Sequence, residues 1–321
     1  MDEVAIQDPV QDPSAAALDF VGPPARARAE LARVETVVLL RHPVTIVFVG
    51  LGAVFALMFH LELNTDTYVW YQVLTGMPMV AVGSGMPIVG ALVASRSRHD
   101  GTDELYESMP TPQGRRSAAH IGAFGATAVL AAAVVAVGWL TTRAWAGLPV
   151  ALDEDATRSI DYPLGVDFPA TDVAPSLVEL VQGPAALFVC GLLGLCLGRW
   201  IPTRWVIAVM IPLVFAYWVA ISWGLQGDAR WFLPFADAGQ HVGWVTVADD
   251  GSGIAVVRGF DTTALAWHLL YIGGVACLVA SALVGSVRSG RRTIIAWGLG
   301  LGAVAVGGVA QVTTAVGRLP S

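Results

Sequence analysis

Lysine is absent from this 321-residue chain, and its 18 basic residues are all arginine. We read the bias as that of a GC-rich genome. It nevertheless removes one class of chemistry. A Walker A loop needs a lysine to reach the β- and γ-phosphates of ATP. The chain therefore has no ordinary ATP-hydrolysing loop, and any ATP that drives it binds another polypeptide. Charge of either sign is scarce too, at 13% of residues, against the quarter or so found in soluble domains. The net charge is −7, and no nucleic-acid partner is expected. Only three cysteines occur, Cys190, Cys196 and Cys277, all within apolar runs and none in a CxxC or His/Cys pattern. They are read as small buried side chains, and no metal ligand set is expected.

What the chain has in abundance is uninterrupted apolar sequence. Seven stretches, residues 43–61, 76–95, 117–142, 180–198, 205–227, 262–287 and 293–317, contain no Asp, Glu or Arg. Their lengths are 19, 20, 26, 19, 23, 26 and 25 residues. About 20 residues of helix cross a hydrocarbon core of about 30 Å. In lipid each backbone group must be satisfied within its own segment, which selects helices. The expected fold is an all-α polytopic membrane protein with about seven transmembrane helices, embedded in a lipid bilayer.

Charge fixes the expected orientation. With a cytoplasmic N-terminus, the inner segments carry 13 arginines, including Arg41, Arg96, Arg115, Arg116, Arg199, Arg204, Arg291 and Arg292, and the outer segments carry 5. That asymmetry follows the positive-inside rule, and a multi-pass protein of the cell membrane is expected.

Residues 1–24 are acidic and proline-rich and are expected to form a disordered cytoplasmic tail. In residues 25–42, Leu31, Val34, Val38 and Leu39 recur at helical spacing among charged residues. This predicts an interfacial amphipathic helix feeding the first span. The transmembrane domain runs over residues 43–317, with long outer loops at 143–179 and 228–261. The first of these is acidic. In the second, Trp231 to Phe235 form an aromatic cluster suited to the membrane interface. Beyond it, alternation around Trp244–Val247, a turn at Asp249–Gly253 and a return at Ile254–Val257 predict a small extracellular β-hairpin.

The most informative segment is the inner loop between the second and third runs. Thr102 suits a helix cap, with Asp103 and Glu104 favourable in the first turn. A short helix over Asp103–Ser108 then stops at Met109-Pro110. Leu105 and Met109 share one face and Tyr106 stands beside them, with Glu107 among the acidic rim. Pro110 and Pro112 stiffen the exit, and Arg115-Arg116 re-anchor the chain at the membrane.

This run, with the surface helix ahead of the first span, resembles the permease subunits of ATP-binding-cassette exporters of the type-two class. An acidic-Leu stretch, a Ser-x-Pro turn and then arginine occupy the same place in that family. The resemblance covers about residues 25–142, and beyond them it is architectural. It implies that Asp103, Glu104, Leu105, Tyr106, Glu107, Ser108, Met109 and Pro110, completed by Arg115 and Arg116, form a coupling helix that docks on a separate ATPase subunit. It also implies that ATP and Mg are held by that partner and no cofactor by this chain. The expected function is alternating-access export of a hydrophobic or amphipathic substrate, with no enzymatic activity in the chain itself. A second permease copy or a sister permease would complete the pathway. The family usually has six spans, so the glycine-rich seventh run is a departure, as is the long loop after the third.

His268 and Tyr271 lie on one face of the sixth run and form a candidate intramembrane polar site. A helix–helix hydrogen bond is the competing use. His120 is expected at headgroup level. Gly298, Gly300, Gly302, Gly307 and Gly308 do not give the GxGxxG spacing and are read as close helix packing. A second functional reading is a sensor, immunity or assembly factor that binds a ligand or partner through its outer loops. A third is an ion-coupled carrier, which the lack of mid-span charge disfavours.

Overall fold

In the computed structural model the described residues are 24–62, 77–99, 113–146, 158–161, 167–172, 177–201, 205–219, 232–234, 243–247, 254–258, 262–285 and 291–316. They form eight helices and four strands in the order α1 (Pro24–Arg41), α2 (Pro43–Glu62), α3 (Met77–His99), α4 (Gln113–Ala146), β1 (Arg158–Asp161), β2 (Asp167–Asp172), α5 (Leu177–Trp200), α6 (Val206–Val219), β3 (Gly243–Val247), β4 (Ile254–Arg258), α7 (Thr262–Gly285) and α8 (Arg291–Val316). Residues 1–23 and 100–112, which include the expected tail and coupling helix, lie outside the described residues.

Each of the seven charge-free runs contains a helix. Four segments are long and apolar enough to cross a membrane: Arg116–Thr141, Leu180–Trp200, Thr263–Val284 and Thr293–Thr314. A fifth arises if Ala29–Arg41 and Pro43–Val54, bent by 58°, count as one broken span. The second and fifth runs supply shorter apolar helices, Ala81–Arg96 and Val206–Tyr217.

The bend between α1 and α2 has a local cause. The His42 N–H donates to the Leu39 carbonyl and the Ile46 N–H to the His42 carbonyl. Nδ1 of His42 accepts from the Val44 N–H at 3.3 Å. Pro43 fills the first helical position, where its missing N–H costs nothing. His42 thus caps α2 with a side-chain acceptor. Burial holds its imidazole below the usual value of 6.5, which favours the neutral ring that the cap requires. His42→Ala is expected to lower stability by about 1 kcal/mol, the usual cost of a lost cap, in thermal unfolding of the lipid-reconstituted protein. No change in midpoint would dismiss the cap.

The core is built around α5. Of its apolar window 67% is buried, against 28% or less in the other three long segments. It packs on α3, α4 and α7; α3 is flanked in turn by α2 and α6, and α8 lies on α7. Leu187, Leu192, Phe124, Met86, Ile272 and Leu283 supply the largest buried apolar side chains of this core.

Small residues make the central crossing close. A Cβ on Gly194 would strike the carbonyl and Cα of Pro87, and one on Gly198 would stand 2.5 Å from Ala91 Cα. A Cβ on Gly90 would strike the Gly191 carbonyl. The pairs 87–194 and 91–198 keep a constant offset, so α3 and α5 run parallel. The α7–α8 seam is similar but antiparallel: a Cβ on Gly274 would meet Val304 N at 2.8 Å, and one on Gly307 would meet Tyr271 N at 2.6 Å.

The outer faces are apolar. Val129, Val134 and Val137 on α4, Ile46 and Val47 on α2, and Ile294, Leu299 and Val309 on α8 are all exposed. Apolar area on this scale is what lipid solvates; soluble monomers rarely carry such continuous patches.

A four-stranded sheet, in order β1-β2-β4-β3, accompanies the helices. β3 pairs antiparallel with β4, from Gly243 opposite Arg258 to Val247 opposite Ile254. β1 pairs antiparallel with β2. β2 lies parallel to β4, with Ala170 opposite Val256. The sequence reading treats 143–179 only as an acidic loop. Its strands, RSID and DFPATD, lack clear alternation, and Pro169 offers no ladder donor.

Candidate functional site

Helix directions sort the polar groups onto two ends of the bundle. The C-terminal ends of α3, α5 and α7 share one end with the N-terminus of α4. The joint that places them there is Arg199, in the last turn of α5. One guanidinium nitrogen donates to the Leu283 carbonyl of α7 at 2.8 Å, and another to Ser117 Oγ in α4. Leu283 lies in the last turn of α7, where carbonyls lack intrahelical partners and the helix dipole favours a cation. Gly198 beside it packs on Ala91 of α3. The end of α5 thus holds three neighbouring helices at once. In the sequence Arg199 reads as a topology marker, or with Arg204 as a second contact for an ATPase, because nothing local signals a reach of 84 residues to Leu283.

A second joint lies at the same end. His120 Nε2 of α4 is 3.6 Å from a Glu35 carboxylate oxygen of α1, and both side chains are mostly buried. His120, expected at headgroup level, ties α4 to α1. Gly122 allows the approach, since a Cβ there would come within 3.3 Å of Ala32 Cβ. The hydrogen bond with His120 holds the Glu35 carboxyl below its usual 4.5; burial opposes this, while the charges of His120 and Arg96 assist.

A depressed carboxylate stabilises the fold above its unfolded value, and the contribution is lost as pH falls through the folded value. Thermal midpoints of the native protein and Glu35→Gln should therefore converge as pH drops below 4.5. A gap that stays constant through that range would mean that the pair contributes nothing through charge.

The opposite end carries the site expected at His268 and Tyr271. His268 is fully buried. Its Nδ1 lies 3.0 Å from Gln311 Oε1 of α8, and its Nε2 lies 3.4 Å from the Pro234 carbonyl. Tyr271 donates its hydroxyl proton to the Phe232 carbonyl at 3.3 Å. The Phe232 and Tyr271 rings meet edge to face at 5.9 Å, and the His268 ring stacks on Tyr271 at 6.1 Å. The sequence pairing of His268 with Tyr271 therefore falls on one real cluster. Gln311 and the Phe232–Pro234 segment complete it. Gln311 is legible in retrospect: it is the one carboxamide in the run 293–317, and polar side chains in such runs face partners rather than lipid.

Of the expected docking residues, Asp103, Glu104, Leu105, Tyr106, Glu107, Ser108, Met109 and Pro110 lie outside the described residues. Arg115 and Arg116 stand in the first turn of α4, and Arg116 is partly buried. Of the five glycines in the last run, Gly300 and Gly307 lie in the α7–α8 seam, and a Cβ on Gly308 would meet Phe232 and Tyr271 at ordinary distance. Gly298 and Gly302 have open space where a Cβ would stand. Among the described residues no cluster of His, Cys, Asp or Glu is suited to a metal.

No family model, curated protein or solved structure matches the chain.

Proposed function

We propose that the chain is the membrane-spanning permease subunit of an ATP-binding-cassette exporter, powered by a separate ATPase that docks on residues 103–110. The reading takes the seven apolar runs as seven spans with the N-terminus in the cytoplasm and the sheet outside. The arginine asymmetry supports that orientation.

The observation that carries the proposal is the joint at Arg199. Residues 100–112 connect α3 to α4. Both helices bear on the last turn of α5, α3 through Ala91 against Gly198 and α4 through Ser117. Arg199 extends the linkage to α7, and Glu35 with His120 extends it to α1. A push on the 100–112 connection would therefore reach α5, α7 and α1, which is what an external power source requires. The lack of lysine agrees, since the nucleotide must bind elsewhere. One chain offers too few spans for the family's usual pathway, so a second copy or a sister permease is part of the proposal. The apolar spans suit a hydrophobic or amphipathic cargo.

The test is co-purification with a candidate ATPase. Leu105→Asp with Tyr106→Asp should lower association by about 30-fold or more, the effect of losing central interface anchors. Stimulated ATP hydrolysis should fall with it. Survival of both would defeat the docking role.

The sheet favours a second reading, a membrane protein that binds a ligand or partner through its outer loops. Two segments far apart in sequence, 158–172 and 243–258, combine in one sheet. Under that reading the same double variant would leave function intact, and deleting the sheet would abolish it.

A further inference from the structure

We infer that the segment Phe232–Pro234 is a strap latched onto the α7–α8 seam by the imidazole of His268, and that Gln311 is the positioning residue that sets which ring nitrogen carries the proton.

Among the described residues the backbone carbonyls and ring of the segment make directional contacts: Pro234 O to His268 Nε2, Phe232 O to the Tyr271 hydroxyl, and the Phe232 ring to the Tyr271 ring. Leu233, between them, packs into the same apolar core as Leu269 and Tyr271. The Phe232 ring lies over the seam, where a Cβ on Gly308 would stand 3.7 Å from it. The strap is therefore held by directional bonds to two side chains one helical turn apart.

The chemistry of the imidazole makes the latch conditional. A neutral ring offers one N–H and one lone pair. A carbonyl oxygen only accepts, so the bond to Pro234 forms when Nε2 carries the proton. Nδ1 is then an acceptor, and Gln311 must turn its NH₂ towards it. If Gln311 presents its oxygen instead, Nδ1 must donate. The Nε2 lone pair then faces the Pro234 carbonyl, and the strap loses its bond. The two ends of a carboxamide have the same shape, so either arrangement fits the 3.0 Å separation, and the choice is made by the hydrogen-bond network. In so buried a place a mismatched pair is costly. Gln311 thus acts on the strap through His268.

The inference stands on this cluster alone, independent of ATPase docking, so each can fail separately. The test uses the full chain in lipid nanodiscs with Leu233→Cys and a membrane-impermeant maleimide, the Leu233 protein serving as the blank for native cysteines. Two replacements of His268 divide the ring. Glutamine sets its amide NH₂ near the Nε2 position, and asparagine sets it near Nδ1. His268→Gln should label within about threefold of the native rate, and His268→Asn about tenfold faster, the effect of one buried hydrogen bond on a local opening. Tyr271→Phe, which removes only a hydroxyl, should also speed labelling severalfold and covers the case in which His268→Asn does not fold. Equal rates for the two His268 replacements overturn the role of the ring proton. Unchanged labelling in Tyr271→Phe overturns the strap.

Discussion

Gly194→Val should leave essentially no folded protein, whereas Gly302→Val should be nearly silent. Both replacements add the same side chain to a glycine in an apolar helix. At Gly194 even the first added carbon collides with the backbone of Pro87, and backbone cannot rotate away. The collision falls where the most buried helix meets α3, so relief would require α3 and α5 to separate along their length. Overpacking usually costs about 1–3 kcal/mol when side chains can adjust. With no side chain to adjust, the cost should exceed that range and consume much of a stability of about 5–15 kcal/mol. At Gly302 nothing stands within 4 Å of the new carbon, and valine would meet lipid. Detergent-solubilised yield and the size-exclusion profile, measured side by side, decide the matter. A monodisperse Gly194→Val protein would mean that the crossing is looser than described here.

Arg199→Leu should give the next largest effect, and it should be graded. Leucine keeps apolar volume but abandons the Leu283 carbonyl and the Ser117 hydroxyl. A hydrogen bond to a charged group contributes about 1.5–3 kcal/mol, so a loss of that order is expected in the thermal midpoint of the reconstituted protein. Arg199→Lys keeps a cation at the end of α7 but offers a compact ammonium in place of a planar fork. It should recover only part of the loss. If lysine restores stability fully, the joint is a charge at a helix end and not a bridge. In the permease reading the leucine variant should still bind the ATPase, since the docking residues are intact, yet show weaker coupling of hydrolysis to transport. Loss of binding itself would move Arg199 from transmission to docking.

Much of this was legible in the sequence. Absence of charge over some 20 residues locates helices without any knowledge of their partners, because the requirement comes from the solvent and not from the fold. The His268–Tyr271 pair was legible for a related reason. Two polar rings three residues apart share a face, and an apolar run has few reasons to hold them. What sequence could not give was partner choice. Nothing around Arg199 distinguishes a guanidinium that faces headgroups from one that crosses to Leu283. Likewise, Gly298 and Gly300 read alike, yet two residues on a helix are about 200° apart, and only packing tells which faces a neighbour. The strand β2 was invisible because pairing with β4, more than 80 residues away, and not local alternation, defines it, and β1, its antiparallel partner, lacks alternation as well.

Among the described helices, α7 is the one on which α8 packs extensively. A helix with one neighbour is a rider on the bundle, not a strut within it. Ending the chain after Gly285 would remove the rider and spare the scaffold around α5, but it would strip His268 Nδ1 of the Gln311 carboxamide. Dispensability for assembly and indispensability for the His268 cluster would then coexist in a single helix, which gives the last helix of the described residues a purpose distinct from holding the rest together.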